Sequence, residues 1–238
     1  MRQIAGAPSD LDTATAAEII AWTYANHRRV AIVASFQAES SVLIHLASQI
    51  VERPEVITLD TGRLPEETHA VMESFRDRFD IRLLVQSPEP AEVAELVGEH
   101  GPNPFYRSVE LRRTCCDVRK SRPLVRALEG YDAWLTGVRR QQSETRAETA
   151  VVAADPSHGG IVKVVPLAGW TKEQVWEHIR VHKLPVHPLY AKGYTSIGCA
   201  PCTRATEPGE DERAGRWYWE TGAVKECGIN WQPDEKGR

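Results

Sequence analysis

Several features are scarce or absent in this sequence of 238 residues, and each absence excludes a class of protein. No apolar run approaches the roughly 18–20 residues that a membrane-spanning helix needs, which argues against an integral membrane protein. Positive charge is not in excess, because 29 lysines and arginines stand against 33 aspartates and glutamates, and this balance argues against a general nucleic-acid binder. The first eight residues lack the apolar core of a signal peptide. We therefore expect a cytoplasmic protein that binds neither membranes nor nucleic acids.

Cysteine is also scarce, and its placement is uneven. A disulfide framework is disfavoured in a reducing compartment, so the five thiols need another explanation. Four of them form two pairs, and a fifth stands alone near the C-terminus: Cys115 and Cys116, Cys199 and Cys202, and Cys227. Four thiolates are what a cubane iron–sulfur cluster or a structural zinc ion requires. The simplest division is therefore four metal ligands and one free thiol.

The spacing of the cysteines bears on the choice between these two cofactors. Cys115 and Cys116 lie in a basic stretch predicted as a helix over residues 108–128, and adjacent helical residues point about 100° apart. A cubane presents irons in several directions, whereas zinc normally takes ligands at wider spacings. Spacing thus favours iron–sulfur and leaves zinc open.

The order of the predicted elements indicates an α/β fold. Continuous apolar runs predict buried strands, and amphipathic segments between them predict helices. This alternation predicts a doubly wound, mostly parallel sheet. The predicted strands are 30–36, 56–60, 81–85 and 133–137, with a hairpin within 151–167, and the predicted helices are 11–27, 42–47, 64–79, 90–99, 108–128 and 172–182.

Polar segments follow three of these strands, at the sheet edge where α/β proteins bind ligands. The loop 37–41 leads into a helix and could seat a phosphate, although an ordinary strand–helix turn explains it equally well. Residues 60–63 follow the second strand, and an arginine-rich loop follows Gly137. His45 and His69 fall inside predicted helices without cysteines at metal spacing, and we interpret both as ordinary helix residues.

The C-terminal segment combines arginines with aromatic residues. Residues 209–220 carry Arg213, Arg216 and three aromatics, which suits a surface that closes over an anion, although tryptophans packing on the core would look the same. Beyond them lies Cys227. A thiol brought to an arginine-lined cleft has a lowered pKa, which favours the nucleophilic thiolate.

Together these segments resemble the sulfonucleotide reductases, and more narrowly the assimilatory adenosine 5'-phosphosulfate reductases. The resemblance runs from about residue 30 to residue 230 and is carried by the segments 115–120, 136–143, 193–204, 209–217 and 225–228. It implies a PP-loop, adenine-nucleotide-hydrolase-like fold with a nucleotide-binding domain over residues 1–204 and a mobile tail over 205–238 that carries the catalytic cysteine. Two residues depart from the family pattern: Ser40 replaces an aspartate, and Asn230 replaces a histidine.

The resemblance also implies a reaction. The Cys227 thiolate attacks the sulfur of the phosphosulfate, AMP leaves, and thioredoxin or a glutaredoxin-like donor releases sulfite from the Cys227 thiosulfonate. The two cysteine pairs hold a [4Fe-4S] cluster with an electrostatic and structural role. Such an enzyme serves sulfate assimilation and cysteine biosynthesis, and we expect a homo-oligomer. The residues implied to bind substrate are Ser35, Phe36, Asp60, Thr61, Gly62, Arg63, Lys120, Gly137, Arg139, Arg140, Arg213 and Arg216.

Two other functions remain open on sequence alone. One is reduction of the 3'-phosphorylated nucleotide, alone or alongside the unphosphorylated one, although family members restricted to that substrate generally lack the cluster cysteines. The other is a PP-loop ATP-pyrophosphatase, for which residues 36–40 are a poor copy of the expected Ser-Gly-Gly-x-Asp-Ser loop. A non-enzymatic iron–sulfur scaffold would leave Cys227 and the arginine-rich loops unexplained.

Overall fold

The computed structural model of the chain describes residues 10–221. Cys227 and Asn230 therefore lie outside the described residues. The helices are α1 (Ala16–Asn26), α2 (Ala38–Ser48), α3 (Glu66–Arg78), α4 (Pro90–His100), α5 (Val109–Cys116), α6 (Arg122–Ala127) and α7 (Lys172–His182). The strands are β1 (Val30–Val33), β2 (Glu55–Leu59), β3 (Arg82–Gln86), β4 (Ala133–Thr136), β5 (Val152–Asp155) and β6 (Ile161–Val164).

The strands form one sheet in the order β3-β2-β1-β4-β6-β5. Every neighbouring pair is parallel except β5 and β6, which form the antiparallel hairpin expected within residues 151–167. The predicted α/β class with a doubly wound, mostly parallel sheet is confirmed. The strand order reverses between β1 and β4, and ligands in such sheets bind outside the carboxyl ends of the strands at this point.

Helices cover both faces of the sheet, as the apolar strands require. Side chains alternate between the faces, so Ile32 and Leu135 point into a core with α1, α2, α3 and α7. Ala31 and Trp134 point to the opposite face, where Leu124 of α6 packs. Among the residues described, no helix has both the length and the apolar character needed to cross a bilayer.

The basic helix expected over residues 108–128 is interrupted. A π-helical turn, Asp117–Ser121, separates α5 from α6. Pro123 explains the break, because it has no N–H to donate to the Arg119 carbonyl. The wider turn sets the position of Lys120, which becomes important at the candidate site.

Side-chain caps fix the starts of two helices. Thr15 caps α1, since its side chain accepts from the Glu18 N–H while the Glu18 carboxylate accepts from the Thr15 N–H. Thr171 caps α7, and its side chain accepts from the Gln174 N–H. Beyond α7 the chain enters a 3₁₀ turn at Pro188–Lys192.

Candidate active site

A cavity opens at the carboxyl ends of β1, β2 and β4, at the reversal in strand order. Ser35, Thr61 and Gly137 line it from the three strand ends. The Cβ of an alanine at Gly137 would lie 2.8 Å from the Glu39 Cβ, so glycine allows the loop after β4 to approach the start of α2. The cavity thus draws on each of the three loops predicted to meet at this edge.

The opposite wall of the cavity is cationic. Lys120 reaches it from the π turn, and Arg146, Arg213 and Arg216 reach it from later loops. Arg213 and Arg216 belong to the predicted tail, whose described part returns to the domain through a bridge between Thr203 and Arg216. Six predicted substrate residues therefore line one cavity: Ser35, Thr61, Lys120, Gly137, Arg213 and Arg216.

Arg216 is the most deeply buried cation of this wall. The residue is 5% exposed, it forms no salt bridge with any residue between 10 and 221, and its Nε has no hydrogen-bond partner there. Its Nη1 lies 3.5 Å from Ser196 Oγ, and its Cζ lies 4.7 Å from the centre of the Trp217 ring. Burying a cation of this kind lowers the stability of the fold unless an anion pairs with it.

Glycine again makes this placement possible. The Cβ of an alanine at Gly198 would lie 2.3 Å from Arg216 Nη2 and 2.6 Å from its Cζ. Arg216 therefore lies directly against the backbone of Gly198, next to the second cysteine pair.

Arg139 is also buried, but it is paired with two carboxylates, and only its Nη1 lacks a hydrogen-bond partner among residues 10–221. Its Nε donates to Glu39 Oε1 at 2.8 Å and its Nη2 to Glu212 Oε1 at 3.0 Å. Burial raises the pKa of Glu212, and the adjacent Arg139 guanidinium acts in the opposite direction. Arg140 donates from Nε to the Thr149 carbonyl at 2.9 Å. Neither arginine lines the cavity, and both serve to hold loops.

Four further residues that were predicted to bind substrate do not line the cavity, namely Phe36, Asp60, Gly62 and Arg63. Phe36 is fully buried with a φ of 54°, and its ring packs against Phe75 in the core. Asp60 accepts from the Gly62 N–H at 2.9 Å, which closes the turn after β2. Arg63 donates to the Pro102 carbonyl at 2.9 Å and faces the cysteines.

The four cysteines of the two pairs come together in one buried cluster. Cys115 and Cys116 end α5, and Cys199 and Cys202 bracket a short 3₁₀ turn in which the Cys202 N–H donates to the Cys199 carbonyl at 2.9 Å. Apolar side chains surround them, Trp217 among them. The sequence placed these two pairs 83 or more residues apart along the chain, and the fold makes them neighbours.

The spacing of the four cysteine sulfurs suits a multinuclear metal centre better than a single zinc ion. Zinc bound to four sulfurs would hold them about 3.8 Å apart, given Zn–S bonds of about 2.3 Å. Between residues 10 and 221 no three cysteine sulfurs lie within 4.8 Å of one another. A cubane binds each thiolate at a separate iron, so its ligands stand further apart. The four cysteines therefore fit a cubane cluster better than a mononuclear zinc site.

The thiols also need a cationic partner to ionise. Burial, and then the neighbouring Cys199, raise the pKa of Cys202 to about 12. Burial likewise raises the pKa of Cys115, although Arg119 beside it acts in the opposite direction. A metal centre held by these four cysteines would supply the charge that stabilises their thiolates.

The cavity and the cysteine cluster share a wall. Lys120 and Arg216 line both the cavity and the smaller space among the cysteines. Thr61 Oγ1 lies 3.2 Å from Cys199 Sγ, and Arg119 Nη1 donates to the Thr61 carbonyl at 2.8 Å. Any group held by the cysteines would therefore lie beside the cationic wall.

Several residues important here were missed in the sequence. Glu39 and Glu212 anchor Arg139, Gln37 Oε1 accepts from the Ile197 N–H at 2.7 Å, and Arg112 is paired in the interior with Glu220 at 2.8 Å. Each pair joins residues about 70 to 160 positions apart, so no local pattern could reveal it. Ser40 does have a visible role, because its hydroxyl accepts from the Ser35 N–H at 3.1 Å and closes the loop after β1.

Comparison with known proteins shows the family of the chain. The model of the phosphoadenosine phosphosulfate reductase domain matches residues 29–205. Adenosine 5'-phosphosulfate reductase of Burkholderia cepacia is 46% identical over 204 residues, covering 86% of this chain and 81% of that protein. The enzyme of the same name from Allochromatium vinosum is 43% identical over 217 residues, covering 91% of this chain and 84% of that protein.

Solved structures share the fold. Phosphoadenylyl-sulfate reductase from Candida auris, in a phosphate complex, superposes with a TM-score of 0.70 at 22% identity, covering 85% of this chain and all of that one (100%). Candida glabrata FMN adenylyltransferase, in complex with FAD and inorganic pyrophosphate, superposes with a TM-score of 0.59 at 13% identity, covering 82% of this chain and 66% of that one. On the strength of the family match and the two bacterial relatives, this chain belongs to the phosphoadenosine phosphosulfate reductase family.

Proposed function

We propose that this protein reduces adenosine 5'-phosphosulfate to sulfite and AMP. Relatives that carry this activity in their names align over most of the chain. The observation that carries the proposal is Arg216, a buried cation facing the cavity without a counter-ion among residues 10–221. A phosphosulfate is an anion of the kind that would complete it.

The cavity suggests how the substrate lies. The nucleoside would occupy the crevice between the loops after β1 and β4, and the phosphosulfate would face Lys120, Arg213 and Arg216. As the bond between sulfur and the phosphate oxygen breaks, negative charge shifts onto the leaving phosphate of AMP. Cations already fixed at that position stabilise the transition state without reorganising.

Cys227 is the proposed nucleophile. Its thiolate attacks the sulfur, the sulfur–oxygen bond to AMP breaks, and the SO₃ group stays on Cys227 as a thiosulfonate. A thiolate of reduced thioredoxin then attacks the Cys227 sulfur, the bond to the SO₃ group breaks, and sulfite leaves. The second thioredoxin thiol breaks the mixed disulfide, so that thioredoxin is oxidised to its disulfide and the Cys227 thiol is restored. The described chain ends beside the cysteine cluster, where Arg112 pairs with Glu220. Cys227 is six residues beyond Thr221, which allows a span of up to roughly 20 Å.

The cysteine cluster has a separate role in the proposal. Cys115, Cys116, Cys199 and Cys202 would hold a [4Fe-4S] cluster, which would supply a local charge and a covalent tie between α5 and the loop before Thr203. Lys120 and Arg216 contact both spaces, so their positions depend on that tie. Reduction of the substrate needs only the thiols of Cys227 and thioredoxin.

A comparison of nucleotide substrates tests the proposal. Protein purified without oxygen should release sulfite from adenosine 5'-phosphosulfate in the presence of reduced thioredoxin. The 3'-phosphorylated nucleotide should react with a much lower kcat/KM. Equal or faster reaction with the 3'-phosphorylated nucleotide would transfer the assignment to that substrate, and pyrophosphate release from ATP would indicate a PP-loop pyrophosphatase instead.

A further inference from the structure

Three histidines meet on the surface between α2 and α7, away from the cavity. His178 and His182 are one turn apart on α7, so they share a face of that helix, and His45 approaches from α2. One ring nitrogen from each residue lies within 4.8 Å of the other two. The ring centroids of His45 and His182 are 4.5 Å apart, and those of His178 and His182 are 4.4 Å apart.

At least one of these rings is neutral, the form that binds metal. His45 Nδ1 and His178 Nε2 share a hydrogen bond at 2.9 Å, which requires at least one neutral ring. Burial, and then His178, His182 and Arg78, lower the pKa of His45 to about 4. Neutral imidazole is the ligand form of histidine. Phe79 and Trp170 pack against the rings, while His182 is exposed and leaves one side open to water.

We propose that His45, His178 and His182 form a zinc site that ties α2 to α7. Zinc with Zn–N bonds of about 2.0–2.1 Å places its ligand nitrogens about 3.3 Å apart. The three ring nitrogens already lie within 4.8 Å of one another, so side-chain rotations that bring them closer by at most about 1.5 Å would assemble the site. Water would fill the fourth position on the exposed side. The metal would replace the single hydrogen bond that now joins His45 and His178.

The site has a structural use in this fold. His45 lies seven residues beyond Ala38, about 10 Å along α2 from the loop that lines the cavity. Fixing the far end of α2 would hold that loop against β4. Arg78 already fastens the end of α7, since its guanidinium donates to the His182 carbonyl at 2.6 Å and to the Lys183 carbonyl. A zinc ion would add a second tie at the same corner.

Equilibrium dialysis against zinc, on protein purified without oxygen and with its iron–sulfur content verified, tests the site. The wild-type chain should bind one zinc ion more than His182→Ala and His178→Ala. His182 is exposed, so its replacement should leave the fold intact by circular dichroism. The matched control is His100→Ala, at the end of α4, which should bind as much zinc as wild type.

Two further measurements separate this site from the cysteines. X-ray absorption at the zinc edge should show a nitrogen and oxygen shell near 2.0 Å without sulfur. Zinc at 100 times its Kd should raise the wild-type Tm by about 5–10 °C and leave His182→Ala unchanged. Equal zinc content in wild type and His182→Ala, or zinc bound through sulfur alone, would overturn the proposal. Neither outcome depends on the reductase assignment.

Discussion

Replacing Arg216 by alanine tests whether the cationic wall of the cavity binds the anionic part of the substrate. Removing this guanidinium takes away charge-assisted hydrogen bonds to a bound anion, each with a net contribution of about 1.5–3 kcal/mol. If one such bond strengthens in the transition state, kcat/KM should fall by about 10- to 150-fold. The free protein should lose little stability, because no salt bridge among residues 10–221 is broken and a buried unpaired charge is removed.

Arg139→Ala is the matched control, since Arg139 is an equally buried arginine of the same region. Its loss would leave Glu39 and Glu212 without their shared partner. Removing one member of a buried ion pair costs about 3–5 kcal/mol, which corresponds to a Tm lowered by about 6–20 °C. The two variants should therefore differ in what they change. Arg216→Ala should mainly lower kcat/KM, and Arg139→Ala should mainly lower Tm.

The assay combines steady-state sulfite release with thermal unfolding of the substrate-free protein. Adding AMP or sulfate should raise the Tm of wild type more than that of Arg216→Ala, because only wild type offers the buried cation to the anion. Unchanged kcat/KM in Arg216→Ala would refute the reasoning. A drop in Tm as large as that of Arg139→Ala would show that Arg216 has a structural role instead.

Three further substitutions test neighbouring parts of the site. Gly198→Ala should lower kcat/KM at least tenfold, because its Cβ would lie 2.3 Å from Arg216 Nη2, whereas Gly169→Ala, with nothing within 4 Å of the new Cβ, should keep wild-type kinetics. Lys120→Ala should lower kcat/KM at least tenfold, since about 1.4 kcal/mol of transition-state stabilisation is a factor of ten; wild-type turnover would mean that Lys120 is only part of a solvated surface. Cys202→Ser should lose the brown colour, the iron and the sulfide together with most activity, and stoichiometric zinc without sulfide in the wild-type protein would contradict the cluster.

The sheet could be predicted from sequence because its signals are local. Apolar runs such as residues 30–33 and 133–136 mark strands buried on both faces, and the polar loops after them mark the ligand edge. Parallel strands must align their carboxyl ends, so Ser35, Thr61 and Gly137 had to meet. The π turn does have a local signal, because Pro123 removes a backbone donor inside the basic stretch that was predicted as one continuous helix.

The roles of individual arginines could not be predicted, because they depend on distant partners. Arg139 and Arg216 look alike in the sequence, yet Arg139 contacts two carboxylates from α2 and from residue 212, and Arg216 contacts none among residues 10–221. The same limit applies to His45, which was interpreted as an ordinary helix residue. Its neighbours His178 and His182 are more than 130 positions away and reach it only through packing of α2 on α7.

The central claim is covalent catalysis by Cys227, and a single-turnover experiment tests it most directly. Wild-type protein mixed with adenosine 5'-phosphosulfate but no thioredoxin should release one AMP per chain and gain the mass of one SO₃ group on the peptide that contains Cys227. Reduced thioredoxin should then release sulfite and restore the original mass. Cys227→Ser should keep its cluster and bind nucleotide yet give no burst, because a serine hydroxyl stays protonated at neutral pH. A label on another cysteine, or AMP that forms only when thioredoxin is present, would contradict the account.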